Sequence, residues 1–251
     1  MAKSAYPMIK GIAEFYRNFP NLKKAPDGKY HIFHVNDNEP VWDGHKTVEE
    51  ISSMIGILPV AIKASEILNV DSVLRPLWKE LLQNLSPLPR SSEFRDLKGK
   101  PVTFVKSLLP AVDGKASDLP DLNTMPVWCF DLANLETKYK EMKEIANNTF
   151  NGYLPNGINE TISAGTLTKL AIVGALLSRS DDTRYRIPNQ MKALNKVVLG
   201  YRMDCMEGVQ AMTAERVGRS SKALQNALCH SIPSSPGEPT VIRVVPAWPK
   251  T

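Results

Sequence analysis

The apolar repeat between residues 48 and 68 constrains the fold of this chain more than any other feature of its sequence. Apolar side chains recur there every three or four positions, which is the spacing of one face of a helix. They are Ile51, Met54, Ile55, Leu58, Ile62, Ile67 and Leu68. The pattern predicts a long helix with one face in a core. Because Pro59 lacks a backbone N–H, we also expect a kink or a break near Leu58.

Helical spacing dominates the remainder of the sequence as well, and it predicts an all-α fold. One helix is predicted over residues 6–16 and another over residues 72–85, with Asp71 and Ser72 as the cap of the second. Only residues 69–71 separate this helix from the long one, so the two should form an antiparallel hairpin. The other predicted elements are helices over 135–147, 163–178, 189–198 and 214–230 and a short strand over 240–245.

Composition and charge narrow the class of protein. The chain has 251 residues, of which 43% are hydrophobic and 23% are charged, as in soluble globular proteins. Its net charge of +5 is spread along the sequence, which argues against a nucleic-acid partner. No uninterrupted apolar run reaches the ~18 residues that a membrane span needs, so no membrane partner is expected.

Cysteine and histidine spacing gives no sign of a metal centre. The cysteines are Cys129, Cys205 and Cys229, an odd number without a CxxC pair, and no HExxH motif occurs. Neither a metal site nor a disulfide framework is therefore expected. We expect the thiols to lie in the core or in a pocket.

Apolar segments lie close to both ends of the sequence. The predicted helix over 6–16 has no lead-in, and Ala247-Trp248-Pro249 stands near the other end. Apolar surface of this kind favours contact with further chain. We therefore expect the sequence to begin and end inside a larger domain, whose remaining part would be its partner.

The loop after the first helix combines amide, acidic, imidazole and indole groups within a few positions. These groups include His34, Asn36, Asn38, Glu39 and Trp42. Sugar sites need this mixture, because an aromatic face covers the pyranose, polar groups bond its hydroxyls and one carboxyl donates a proton. The nearby indole of Trp42 should raise the pKa of Glu39, as a general acid requires. The alternative is an ordinary polar loop between two helices.

A second acidic stretch leads into the last predicted helix. Glu207 and Glu215 are both candidates for a partner carboxylate, and Glu207 is also a candidate for binding substrate. Glu215 would lie near the helix N-terminus, where the helix dipole favours the ionised form that a general base needs. The alternative is an ordinary glutamate at a helix start. Glu39 and Glu215 are so far apart in sequence that only a fold that closes on itself would bring them together.

Several segments match one family in their residue patterns. Asn38-Glu39-Pro40 stands where that family has Ser-Pro-Glu-Asn, and Leu85-Ser-Pro-Leu-Pro89 resembles a Leu-Pro-Pro type turn. The other matching segments are residues 6–9, 13–16, 62–68, 224–231 and 242–249. In these features the chain resembles the C-terminal half of the catalytic barrel in glycoside hydrolase family 95, the inverting α-L-fucosidases and α-L-galactosidases. The resemblance covers most of the chain and is weakest over residues 90–126.

The resemblance implies a partial (α/α)6 toroid over residues 1–239, followed by the start of a β-rich region over 240–251. It implies that Glu39 protonates the leaving oxygen. Glu215, which takes the place of the family's aspartate, would help to activate water from the opposite face, with the two carboxyls ~6.5–9.5 Å apart.

The resemblance also implies an oligosaccharide or polysaccharide substrate, no metal, no organic cofactor and a periplasmic or extracellular location for the intact protein. Two alternatives stay open at this point. One is a six-hairpin glycosidase that acts on another sugar, and the other is a helical protein that binds carbohydrate without cleaving it.

Overall fold

Helices make up most of the chain, as the sequence predicts. The computed structural model describes residues 4–36, 43–90, 123–152, 169–194, 204–206, 209–211 and 214–248. These residues belong to two compact units, which are bounded as Met1–Leu132 with Ser235–Glu238 and as Ala133–Ser234 with Pro239–Thr251. Within the described residues, the helices are joined by short two-stranded antiparallel sheets.

The first unit is organised around one central helix. Its helices are α1 (Ala5–Arg17), α2 (Val48–Leu68), α3 (Arg75–Gln83) and α4 (Met125–Trp128). Helices α1, α3 and α4 all pack against α2, so α2 forms the middle of this unit. The pairing of α2 with α3 confirms the predicted contact between these two helices.

Helix α2 has the bounds that the apolar repeat predicts. Its buried side chains are Val48, Ile51, Ser52, Met54, Leu58, Ala61, Ile62, Ala64 and Ser65. The expected break near Leu58 does not occur: the helix continues through Pro59. It ends at Asn69, whose backbone has the left-handed conformation. Ile67 was expected in the buried stripe, but it is 63% exposed. By length and composition alone α2 could also cross a membrane, a test that core helices of soluble proteins pass as well.

The connection between α2 and α3 differs from the predicted cap. Helix α3 begins at Arg75, three positions after the expected start. The Asp71 carboxylate accepts hydrogen bonds from the Tyr6 hydroxyl and the Lys10 ammonium, both at 2.7 Å. Because Lys10 and Tyr6 occupy the Asp71 carboxylate, it joins α1 to the turn instead of capping α3.

A small hairpin leads from α1 towards α2. Strand β1 (Leu22–Lys24) pairs antiparallel with β2 (Tyr30–Ile32), and the turn between them contains Gly28 at a φ of 77°. The backbone of Tyr30 also donates to Asn84 at 2.7 Å and accepts from Ser86 at 3.0 Å. These bonds fix β2 against the end of α3. The sequence pattern did not predict this hairpin.

The second unit is built from α5 (Lys140–Gly152), α6 (Leu170–Leu176), α7 (Ser180–Leu194) and α8 (Ala214–Leu228). Every residue of α6 is buried, and α6 packs against α5, α7 and α8. The prediction of a mostly buried helix in this region is thus confirmed for its described part. Helix α5 starts five positions later than expected, and α7 starts nine positions earlier.

Short strands complete the second unit. Strand β3 (Asp204–Met206) pairs with β4 (Val209–Ala211), and β5 (Cys229–Pro233) pairs antiparallel with β6 (Thr240–Val244). The predicted strand over 240–245 is therefore confirmed. The last helix ends at Leu228 because the residues after it pair with β6 instead of continuing the helix.

The two cysteine side chains that the structure describes are not in a core. Cys129 and Cys229 are both exposed. The expectation of buried thiols was therefore wrong for these two residues. Cys229 is the first residue of β5, where successive side chains alternate between the two faces of the strand.

Candidate functional site

The structure describes only part of the predicted carbohydrate site. His34 and Asn36 lie within the described residues. Asn38, Glu39, Trp42 and Glu207 lie outside them, and so does the side chain of Glu215. The backbone of Glu215 is the second residue of α8, close to the helix start that the sequence predicts.

Residues 36–43 are closed at their base by backbone hydrogen bonds. Val35 forms an antiparallel bridge with Gly44, in which the Val35 amide donates at 3.3 Å and the Gly44 amide donates at 2.6 Å. The Lys46 amide donates to the Ile32 carbonyl at 3.0 Å. We call the paired residues 34–36 and 43–46 the stem. The stem holds the two ends of the loop side by side and attaches them to β2.

Side chains of the stem also connect its two segments by hydrogen bonds. Nδ1 of His34 lies 2.5 Å from Oδ1 of Asp43, and the Asp43 amide donates to Oδ1 of Asn36 at 3.4 Å. Both predicted residues therefore contact Asp43. The side chains of His34 and Asp43 are 72% and 46% exposed, so their ion pair is well hydrated.

Three residues of the stem have left-handed backbone conformations. His34, Asp43 and Lys46 have φ values of 51°, 57° and 53°. This region is uncommon for residues other than glycine and least unusual for Asp, Asn and His. Backbone of this kind persists where the surroundings fix it, and it clusters at ligand-binding loops. The stem therefore has a defined geometry instead of an arbitrary loop conformation.

A cluster of rings adjoins the stem and includes the stem residue His45. Phe33 stacks on His45 with ring centroids 4.3 Å apart, and Nδ1 of His31 lies 3.3 Å from Nε2 of His45. On its other side, Nε2 of His31 contacts the Asp27 carboxylate at 2.9 Å. When His31 is neutral, its Nε2–H donates to Asp27 and its Nδ1 accepts from His45. Burial, followed by the nearby charge of His31, lowers the pKa of His45.

The start of α2 supplies a titratable carboxyl next to the stem in sequence. The Thr47 hydroxyl, which is fully buried, donates to Oε2 of Glu50. Burial raises the pKa of Glu50 to about 7. A carboxyl with this pKa can donate a proton at neutral pH. Glu50 was not among the residues predicted from the sequence, although Thr47-Val-Glu-Glu50 has the spacing of a capping box.

Tyr16 of α1 interacts electrostatically with this carboxyl. Its hydroxyl forms a hydrogen bond with Ser53, and burial raises the pKa of Tyr16. The charges of Glu50 and Glu49 raise that pKa further. Burial thus disfavours the ionised forms of both Tyr16 and Glu50 where α1 packs against α2.

The described residues offer no cluster of three or more His, Cys, Asp or Glu side chains that could hold a metal ion. Their chemistry is that of hydrogen bonding and proton exchange at the stem and at the start of α2. Comparison with protein-family models and with curated proteins found no match to this chain.

Proposed function

We propose that this chain supplies the proton-donating part of an inverting glycoside hydrolase that releases a terminal α-L-fucosyl or related sugar. Glu39 is the general acid in this proposal. His34, Asn36, Asn38 and Trp42 bind the sugar next to it. The helices would form part of an (α/α)6 toroid, in which a loop at the end of a helical hairpin faces the substrate.

The stem is the observation that carries the proposal. A general acid works only when its carboxyl is held at hydrogen-bond distance from the leaving oxygen. The bridge between Val35 and Gly44 fixes both ends of the loop that contains Glu39. A loop with joined ends and few intervening residues has far fewer conformations than an open one. The joined ends therefore favour a loop that positions the Glu39 carboxyl over one that serves only as a solvated linker.

The ring cluster beneath the stem adds a second argument. The buried ring of His31 is bonded on both sides, and Phe33 covers the face of His45. Such packing leaves little freedom for the residues that carry the stem. Rigid support beneath a loop is what a site needs to hold a carboxyl within about 0.5 Å of its productive position.

The second carboxylate of an inverting mechanism would come from Glu215 or Glu207. Glu215 stands in the first turn of α8, where exposed N–H groups and the helix dipole favour an ionised carboxylate. That state is the one a general base needs to activate water. An inverting mechanism requires the two carboxyls to be ~6.5–9.5 Å apart, which leaves room for the water.

The test is hydrolysis of nitrophenyl α-L-fucoside and α-L-galactoside by the full-length protein. We expect release of nitrophenol with inversion at the anomeric carbon, as measured by proton NMR of the first product. On a fucosylated oligosaccharide, whose leaving oxygen needs a proton, Glu39→Gln should lower turnover by roughly 10²–10⁴-fold. Glu66→Gln, on the exposed end of α2, is the matched control and should leave turnover unchanged.

The outcomes separate the alternatives. Release from a rhamnoside, glucoside or uronide alone would replace the proposed sugar and keep the chemistry. Binding of sugar without hydrolysis would favour a carbohydrate-binding protein. Full activity of Glu39→Gln would show that another group, such as Glu50, donates the proton.

A further inference from the structure

The second unit buries one arginine without giving it a partner. Arg186 on α7 is 1% exposed. In the part of the chain that the structure describes, none of its three guanidinium nitrogens has a hydrogen-bond acceptor. Burial lowers the pKa of Arg186, but a guanidinium remains protonated in proteins. A buried charge without an acceptor is unfavourable, so a missing acceptor is the expected explanation.

The charge of Asp182 favours the protonated form of Arg186, but the two residues form no hydrogen bond. Its guanidinium lies 5.1 Å from the ring centroid of Phe150, and the guanidinium of Arg179 lies 4.7 Å from the same centroid. Arg179 donates to the Asp182 carboxylate at 2.6 Å and to Asn147 at 3.2 Å. Arg179 and Arg186 therefore share the single carboxylate of Asp182, and one positive charge is left over. The Phe150 ring attracts this cation but accepts no hydrogen bond from the edge of its guanidinium plane.

Helix α8, which packs against α7, carries further unsatisfied polar atoms. The hydroxyl of Ser220 and Nδ2 of Asn226 are buried and have no partner in the described part of the chain. Both atoms can donate a hydrogen bond, as can all three nitrogens of Arg186. Both α7 and α8 thus carry buried donors without an acceptor among the described residues. For Arg186, the group that would satisfy these donors is a hydrogen-bond acceptor with a negative charge.

We infer that Arg186 is the anion-binding residue of a site for a small carboxylate inside the second unit. The planar fork of a guanidinium matches the two oxygens of a carboxylate in a bidentate pair. One carboxylate also balances the one uncompensated charge. A phosphate dianion would leave excess negative charge close to Asp182, so the charge balance favours the carboxylate. This site is separate from the proposed reaction of Glu39 and does not depend on it.

Thermal unfolding of the full chain tests this inference. The probes are acetate, lactate and glucuronate as sodium salts, with sodium chloride at equal ionic strength as the reference and glucuronamide as the neutral analogue. We expect at least one carboxylate to raise the midpoint, because a ligand that binds only the folded state stabilises it. Glucuronamide should have no effect. Stabilisation by none of the carboxylates, or a larger effect of inorganic phosphate, would overturn the inference.

Two substitutions of Arg186 and one control assign the effect to this residue. Arg186→Met keeps a long unbranched side chain at this position and removes the charge. The affinity for the carboxylate should therefore fall about 10- to 100-fold. Arg186→Lys retains the charge but loses the fork, and it should also weaken binding. Arg184→Met removes an exposed arginine from the same helix and should leave the affinity unchanged.

The ligand-free stability of Arg186→Met separates a bound ligand from a partner within the chain. If Arg186 lacks an internal partner, this variant should unfold at the same temperature as the unaltered protein or at a higher one. A large fall in the unfolding temperature, with no response to any carboxylate, would show that the chain itself supplies the acceptor. That result would refute the proposed site.

Discussion

The indole N–H of Trp78 donates to Oε1 of Glu14 at 2.7 Å, across 64 positions of sequence. Trp78 is fully buried between α3 and the rest of the first unit, and Glu14 is held from its other side by Arg17 at 2.9 and 2.6 Å. Bonds from Arg17 and Trp78 lower the pKa of Glu14. The bond therefore links α1 to α3 through a carboxylate that stays ionised. It satisfies the one polar atom of a side chain that is otherwise buried in the core.

We predict that Trp78→Phe destabilises the first unit by about 1–3 kcal/mol, because the ring stays buried but the hydrogen bond to a charged group is lost. Urea unfolding measures this loss. In a double-mutant cycle, Glu14→Gln should cost less in the Trp78→Phe background than in the unaltered protein. Additive effects of the two substitutions would show that the bond contributes nothing to stability.

We predict that Glu50 makes the protein less stable as the pH rises. Burial raises the pKa of this carboxyl from 4.5 to about 7, so the folded chain binds a proton that the unfolded chain releases. Stability from this group is therefore complete below pH 4.5 and decreases through pH 7, by at most about 1.4 kcal/mol per pH unit. Glu50→Gln should remove this dependence in unfolding curves between pH 5 and 8. Glu66→Gln is the exposed control and should keep it.

His230 should produce the opposite pH dependence in the second unit. Its ring is 1% exposed, and both nitrogens lack a partner among the described residues. Burial lowers the pKa of His230 below its usual value of 6.5. Stability from the neutral ring is thus complete above pH 6.5 and is lost as the pH falls towards the folded-state pKa.

Replacement of His230 by leucine should weaken the acid sensitivity of the second unit. Unfolding followed by hydrogen exchange of the β5 and β6 amides at pH 5 and pH 8 reports on this unit. His34→Leu, which alters an exposed ring, is the comparison. An identical acid sensitivity in the His230→Leu variant would show that another group is responsible.

The ion pair of the stem should matter more for activity than for stability. Because His34 and Asp43 are both exposed, Asp43→Asn should change the free energy of unfolding by less than about 1 kcal/mol. If the stem positions Glu39, the same variant should lower turnover several-fold while leaving substrate binding nearly unchanged. Lys24, whose ion pair with Glu80 is similarly exposed, offers the control Lys24→Gln. An Asp43→Asn variant with unaltered turnover would separate the stem from the proposed reaction.

The sequence predicted helix bounds best where apolar residues recur over many turns. The bounds of α2 were correct at both ends, since its repeat is long and Thr47 and Asn69 are natural helix limits. The start of α3 was wrong because a distant lysine and tyrosine occupy Asp71. A local sequence pattern cannot reveal hydrogen-bond partners that are distant in the sequence.

The error at the start of α5 also arises from contacts outside the helix, whereas the start of α7 had a local sequence signal that was not used. Residues before α5 form a turn in which Oδ1 of Asn134 accepts from the Glu136 amide at 2.7 Å, and Glu136 then pairs with Arg243. Helix α7 was predicted to start after Pro188, yet it contains this proline as an internal residue. Its acidic first turn at Asp181 and Asp182 was the signal of the true start.

The composition of the sequence identified the loop of the candidate site. It did not identify the contacts that hold the ends of this loop. The amides and acids of residues 36–42 were recognisable by type. The bridge of Val35 with Gly44 and the contact of His31 with Asp27 depend on hairpin geometry, which the sequence did not reveal. The roles of Glu39 and Glu215 stay predictions.

The bridge between Val35 and Gly44 has a consequence for how such a protein can diversify. Its two hydrogen bonds join backbone atoms of Val35 and Gly44, so they can form whatever side chains residues 37–42 carry. Doubling the length of a closed loop costs only about 0.6 kcal/mol in closure entropy. Residues can therefore be exchanged, inserted or removed beyond the bridge while the scaffold below it stays folded. If residues 37–42 bind sugar as proposed, substitutions among them would change the ligand preference without a new fold.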